Sequence, residues 1–476
     1  MGLKVDISEF WCKFFIMTAL KRIGPIAIIV CILLACEDPS SSPGEKYTQY
    51  GRPMANTPAI EDIIMYEVNL RAFSQSGDLQ GVIQRLPILD SMGINVIWLM
   101  PIHPIGEINS VNSPYSVKDY RAVAAEYGTL EDLRMLTDEA HALGMAVIMD
   151  WVANHTAWDN PWIENKSWYT LDTNFEIISP PGTNWQDVAD LNFYNESMRD
   201  AMIDVMKYWV LEANVDGYRC DYADGVPQDF WAEALNTLSD IPDRQLIFLA
   251  EGNRPDHYQA GFDLTYAWSF YGTMKNVFHG GASSLLFDTD VSENLNIPHG
   301  SSILRFSTNH DESAWDATPL VLFNGKQGAL AASVTTFFLG GVPLIYTGQE
   351  VGRLQTLPFF SNSPIDWNTN PDMFATYIQM LRFYSLSNAA KKGELSIYGN
   401  EDVLCFTKSL THETLLILDN VRNETIQFSI PETLQNTEWQ DVLAQDSLGL
   451  STQVSLAPYQ YFILQQISDT FLASSR

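Results

Sequence analysis

MAVIMDWV, residues 145–152, is an apolar run broken only by Asp150. A strand with no polar face must be buried on both sides, which is the habit of strands in a parallel sheet covered by helices. The residues before it fit that reading. Positions 130–143 carry Leu, Met and Ala at spacings of three and four, the stripe of an amphipathic helix. Moving outward, the same two patterns alternate along the chain. Apolar runs occur at DIIMYEV (62–68), INVIWLM (94–100), VDGYRCD (215–221), LIFLAEG (246–252), ILRFSTNHD (303–311) and VPLIYTGQE (342–350), with a weaker one at 262–264. Amphipathic stretches such as 196–214 lie between them. Eight strand–helix units over about 325 residues predict a (β/α)8 TIM barrel spanning 59–390.

One connection is out of scale. Residues 153–192 are rich in Trp, Asn and Pro, and a loop that long within a compact domain predicts a functional subdomain. After 390 the pattern changes to VLCFTKS (403–409), TLLILDN (414–420), TIQFSIP (425–431) and YQYFILQQ (459–466). Short strands between turns predict a C-terminal antiparallel β-sandwich over 391–476.

The N-terminus reads as a targeting segment. Lys21-Arg22 precede an apolar run, 23–34, too short for a membrane span and suited to a signal peptide. Leu33-Leu34-Ala35-Cys36 resembles a bacterial lipobox. The expectation is a lipoprotein signal at 1–35, lipidation of Cys36, and a flexible tether over 36–58 that includes EDPSSSPGE. Glu37-Asp38 resembles the surface-export signal of Bacteroidota lipoproteins, so the expected location is the outer membrane, facing outward. Beyond Cys36, processing leaves Cys220 and Cys405, a set without disulfide-framework or metal-ligand spacing.

With 27 Lys and Arg against 58 Asp and Glu, the chain has a formal charge of -31. That field repels nucleic acid and favours neutral or cationic partners.

In a barrel of this type functional groups stand where strands pass into loops. Those positions hold Asp150 with Asn154-His155, Arg219 with Asp221, then Glu251, then His310-Asp311. Burying so much charge for stability alone would be costly, so the set points to chemistry. Paired carboxylates suit glycosyl transfer: one, ionised, attacks or stabilises an oxocarbenium-like centre and the other protonates the leaving oxygen. Arg219 projects on the same strand face as Asp221 and is expected to keep it ionised. Glu251 follows the apolar LIFLA, where desolvation would raise its pKa for acid duty. Cys220 points to the covering helices and reads as a small buried residue. Trp158, Trp162, Trp168 and Trp185 suit either sugar stacking or the loop's own core. Asp224 suits an acceptor contact or, preferably, a helix N-cap before Val226-Pro227.

DWVANH (150–155), GYRCD (217–221), LAEGN (249–253) and FSTNHD (306–311) fall in order on those strand ends. Together with NSPYSVKDY (112–120), VADLN (188–192) and GVPLIYTGQE (341–350) they resemble the α-amylase superfamily, glycoside hydrolase family thirteen, over nearly all of the mature chain. The resemblance implies a retaining hydrolase of neutral α-glucans such as starch. It implies Asp221 as nucleophile, Glu251 as acid/base and Asp311 as the carboxylate that grips sugar hydroxyls in the transition state. Arg219 would orient Asp221, Asp150 would belong to the substrate-binding set, His155 and His310 would hydrogen-bond the sugar, and Tyr115 would stack beneath it. An exo-acting α-glucosidase or a transglycosylase would use the same triad. A non-catalytic glycan-binding lipoprotein is opposed by the presence of all three carboxylates. Other glycan-uptake proteins are conceivable partners. The chain departs from the family where Lys-His often follows the nucleophile: it has Asp224-Gly225 instead. That removes a usual calcium contact and leaves Asn154 as the motif-matched ligand, or as a plain loop cap, so no metal or other cofactor is expected to be required.

Overall fold

The computed structural model describes residues 47–466. The expected signal peptide, Cys36 and the first part of the tether lie outside the described residues. From Gln49 onward the chain forms one compact unit.

In chain order the first strands are β1 (Met65–Val68), β2 (Val96–Leu99), β3 (Ala146–Val152), β4 (His155–Ala157) and β5 (Val188–Asp190). They are followed by β6 (Gly217–Asp221), β7 (Ile247–Ala250), β8 (Leu264–Tyr266), β9 (Ser302–Arg305) and β10 (Val342–Tyr346). All except β4 and β5 close a parallel barrel in the order β1-β10-β9-β8-β7-β6-β3-β2. Every residue of β3 and β6 is buried, as continuous apolar runs require. Register then sets up the site: β3 pairs with β6 so that Asp150 stands beside Arg219 and Val152 beside Asp221.

The helices follow their sequence signals. Leu130–Ala142 starts at a capping box in which Thr129 and Asp132 satisfy each other's backbone N–H groups. Glu196–Glu212 is capped by Asn195, whose side chain accepts from Met198 N–H. One run is shorter than its apolar pattern suggests. The strand of 303–311 ends at Arg305, and His310-Asp311 open the short helix His310–Trp315. Asn309 stops the extended chain by accepting Glu312 N–H at 2.8 Å.

The long third loop has structure of its own. β4 and β5 pair antiparallel, and the 3-10 turns Pro161–Glu164 and Lys166–Trp168 lie between them. The Tyr120 hydroxyl, within hydrogen-bond distance of both Val152 O and His155 O, ties the loop's start to the barrel.

The C-terminal strands are β11 (Glu394–Ile397), β12 (Val403–Leu410), β13 (Glu413–Asn420), β14 (Ile426–Ser429), β15 (Thr437–Asp441), β16 (Ser447–Leu450), β17 (Gln453–Leu456) and β18 (Tyr461–Gln466). Six of them form an antiparallel sheet, β11-β12-β13-β18-β15-β16, while β14 pairs only with β17. Leu416, Leu418 and Leu464 of the large sheet pack with Phe428 and Leu456 of the small one. The expected second layer is therefore two strands wide. Among the described residues no helix is long and apolar enough to cross a membrane.

Candidate active site

At the C-terminal mouth of the barrel lies a cleft of about 620 Å3. Its floor includes Asp221, Glu251, Asp311, His310, His155 and Tyr115, and its walls include Trp185, Tyr222, Trp315, Phe359 and Phe360. All three sequence-predicted catalytic carboxylates meet here.

Arg219 organises them. Its Nη1 donates to Asp150 Oδ1 at 2.8 Å and to Asp221 Oδ1 at 3.1 Å, and its Nε donates to Tyr266 Oη at 3.1 Å. Its Nη2 forms an ion pair with Glu251 Oε2 at 2.9 Å, without the alignment of a hydrogen bond. One guanidinium thus holds both members of the expected nucleophile–acid pair.

Exposure separates the groups that can touch a ligand from those that cannot. The side chains of Asp221, Glu251 and Asp311 are 13%, 16% and 32% exposed, whereas those of Arg219 and Asp150 are fully buried. This corrects the assignment of Asp150 to substrate binding: packing beneath the floor leaves it, like Arg219, to position other residues. Asp150 Oδ2 also accepts from Trp98 Nε1 and Tyr115 Oη, each at 3.1 Å.

His310 closes the network. Its Nε2–H donates to Tyr115 Oη at 2.7 Å and its Nδ1–H donates to Glu67, so both ring nitrogens serve as donors. Burial opposes a charge on His310, but Asp311 and Glu67 outweigh it and hold the pKa at about 9. Hydrogen bonds therefore run without a break from Glu67 through His310, Tyr115, Asp150 and Arg219 to Asp221. His155 differs: buried beside Trp185 without a carboxylate partner, it is pushed down to about 4 and stays neutral.

The carboxylates do not behave as isolated acids. Burial and the flanking Glu251 push Asp221 well above the usual range, against the pull of Arg219. Burial also raises Glu251, again against Arg219. Arg219 pulls Asp221 toward the ionised form, while desolvation and the neighbouring carboxylates pull the other way. The pair retains a proton at pH values where each carboxylate alone would be bare.

Sequence reading missed several contributors. Glu67 is fully buried on β1 and was visible only as the second acid of DIIMYEV, set among its apolar residues. Trp315, 65% exposed, stacks obliquely on Phe359, which in turn stacks on Tyr115 at 5.8 Å. Trp315 ends the helix His310–Trp315 and Phe359 lies in a distant loop, with no common motif. The loop tryptophans divide between the two open readings. Trp185 lines the cleft and meets Tyr222 edge-on at 5.0 Å. Trp162 and Trp168 pack edge-to-face at 5.2 Å in the loop's own core. Trp158 donates its Nε1–H to Gln186 O. Cys220 is buried, as expected.

Asp224 is not a helix cap. The helix Gln228–Ser239 starts at Pro227 without a side-chain cap, and Asp224 bonds to His257 instead. Asn154 caps nothing either: its Nδ2 donates to His155 Nδ1 at 3.3 Å, and a Cβ at Gly225 would meet its Oδ1 at 2.8 Å. Among the described residues no group of three or more His, Cys, Asp or Glu side chains is arranged to hold a metal ion.

Residues 51–176 and 183–263 match the alpha amylase catalytic domain. The chain is 30% identical to alpha-amylase MalA of Haloarcula japonica over 63% of its own length and 46% of that protein's. It is 26% identical to alpha-amylase 2 of Dictyoglomus thermophilum over 79% of its own length and 69% of that protein's. A crystal structure of a noncanonic maltogenic alpha-amylase from Thermotoga neapolitana superposes with a TM-score of 0.77 at 26% identity, covering 86% of this chain and all of that one.

Proposed function

Since the chain belongs to the alpha-amylase family of glycoside hydrolases, we propose that it is a retaining α-glucan hydrolase cleaving α-1,4 bonds of starch or maltooligosaccharides. The observation that carries this reading is the pairing of Asp221 and Glu251 on one buried guanidinium, with Asp311 open in the same cleft. Adjacent nitrogens of one group favour the close carboxylate spacing of retaining enzymes, about 5–5.5 Å, over the water-wide gap of inverting ones.

In the first step a carboxylate oxygen of Asp221 bonds to the anomeric carbon as the C–O bond to the leaving sugar breaks. Glu251 delivers its proton to that oxygen, leaving a glycosyl ester on Asp221. In the second step Glu251 takes a proton from water, whose oxygen attacks the anomeric carbon and frees Asp221. Two inversions give net retention. Asp311 accepts from the sugar hydroxyls, and His310, kept cationic by Glu67 and Asp311, holds the Tyr115 hydroxyl and places a positive charge beside the cleft floor. Tyr115 and its stacked neighbour Phe359 offer aromatic faces to the sugar's C–H groups. A neutral polymer is also the kind of substrate that a chain of charge -31 does not repel.

Purified protein should release reducing ends from soluble starch, and the first product observed by NMR should be the α-anomer. Release of the β-anomer would rule out the double displacement. With Asp224-Gly225 in place of the usual Lys-His after the nucleophile, activity should survive excess chelator. Lipidation of Cys36 and display on the outer membrane belong to the same proposal, supported by the lipobox-like LLAC and the acidic Glu37-Asp38. Labelled fatty acid should enter the protein and be lost in Cys36→Ala.

A further inference from the structure

The strand end that carries Asp221 runs on through Tyr222, Ala223, Asp224 and Gly225, and the strand end that carries Glu251 runs on through Gly252, Asn253 and Arg254. These two loops are joined repeatedly. Tyr222 N–H donates to Glu251 Oε2 at 2.7 Å and Ala223 N–H donates to Glu251 O at 3.0 Å. To aim its N–H this way Tyr222 adopts φ 42, ψ 46, a left-handed conformation that a bulky aromatic residue adopts only when its surroundings hold it there.

Two residues on, the Asp224 carboxylate adds a further tie between the loops. Its Oδ1 accepts from Nε2–H of the fully buried His257 at 2.6 Å, and the carboxylate also accepts the backbone N–H of Asn253. Its carbonyl accepts from Arg254 Nη1 at 2.8 Å. Between these contacts lies Gly252, so tightly covered that a Cβ there would stand 2.2 Å from Asp224 Oδ1 and 2.7 Å from His257 Nε2. The carboxylate is therefore pressed against the backbone one residue beyond Glu251. Asp224 is not among the residues that line the cleft. The lysine common at this position in the family would bring only donors to a place where His257, Asn253 and Arg254 are already donors.

We propose that Asp224 is a positioning residue that locks the Glu251 loop to the Asp221 loop and so fixes the acid/base at its working distance from the glycosidic oxygen. The inference rests on the assignment of Glu251 as acid/base. It ties a departure from the family pattern to proton delivery and not to acceptor binding.

Leaving-group dependence separates this role from a merely structural one. Starch needs a proton from Glu251 for its leaving sugar, whereas α-maltosyl fluoride departs without one. Wild-type protein must first turn over both substrates; turnover of neither would defeat the functional reading itself. Asp224→Ala should then lose about 100-fold in kcat/KM on starch, the scale of general-acid catalysis, with the fluoride changed less than about 3-fold. Asp224→Asn keeps one acceptor oxygen and should lose roughly 10-fold on starch with the fluoride again unchanged. Thermal unfolding confirms that each variant is folded. If Asp224→Ala does not fold, the starch-to-fluoride ratio of Asp224→Asn decides. A ratio equal to that of wild type, whether through equal losses or none, overturns the proposal.

Discussion

This strongly acidic chain buries carboxylates in two very different settings. In the cleft, Asp150, Asp221 and Glu251 share Arg219, and Glu67 and Asp311 share His310. At the junction between the barrel and the C-terminal sheet, Asp419 at the end of β13 is buried with no cation in hydrogen-bond contact. It accepts from the Thr335 hydroxyl at 2.8 Å, its other oxygen has no partner, and burial pushes its pKa up to about 8. One site sets its carboxylates against fixed counter-charges, and at the other burial beside a hydroxyl favours the protonated form. The difference is what distinguishes a centre built for ionic chemistry from a packing position that happens to be acidic.

Neutralising one carboxylate at each place should therefore have opposite consequences. Asp221→Asn should lower kcat on starch on the order of 10⁴-fold, about 5.4 kcal/mol of transition-state stabilisation, while its unfolding temperature stays level or rises. Substantial residual turnover would mean that Asp221 is not the nucleophile. Asp419→Asn should leave kcat alone and change stability in a pH-dependent way. Because the folded pKa of Asp419 lies above the unfolded one, its contribution is intact below about pH 4 and is lost as pH rises to about 8. The variant removes that slope and should gain on wild type by ~1.36 kcal/mol for each pH unit across the interval. Parallel unfolding curves at pH 5 and pH 8 would show no such gain if Asp419 were charged in the fold.

A smaller effect tests the counter-charge itself. Glu67→Gln removes one of the two carboxylates that hold His310 cationic to about pH 9. The alkaline limb of the pH–activity profile should move down by about one unit, with roughly half the activity at pH 8 and a loss approaching tenfold only at about pH 10 and above. An unmoved limb would mean that His310 charge is not needed. The smallest effect is expected from a strong chelator: neither activity nor unfolding temperature should change, and loss of both would place a structural metal in the fold.

The barrel was legible because two-face burial writes itself as uninterrupted apolar runs: six of its eight strands sit within the runs that predict them, and β8 and β9 overlap theirs. The polar residues ending those runs, Asp221 and Glu251 above all, gave the centre of the site. What stayed hidden depends on contacts that sequence spacing does not encode. Glu67 and His310 are 243 residues apart, and the partner of Asp224 lies 33 residues on in another loop. The aromatic wall of Trp315 and Phe359 joins a helix end to a loop with no shared pattern. Balance among charges was equally hidden: Arg219 was visible beside Asp221, but not that it also serves Asp150 and Glu251. The narrow second layer of the C-terminal region arises because β14 and β17 pair only with each other, a choice their compositions do not announce.

The most direct test of the central claim is to stop the reaction halfway. In Glu251→Gln the acid/base is gone, so α-maltosyl fluoride, which needs no proton to leave, should load the nucleophile faster than water can discharge it. Mass spectrometry of the digested protein should find a maltosyl group on the peptide containing Asp221. A maltosyl group on any other peptide, or turnover of the fluoride with an inverted product and no adduct, would contradict the account.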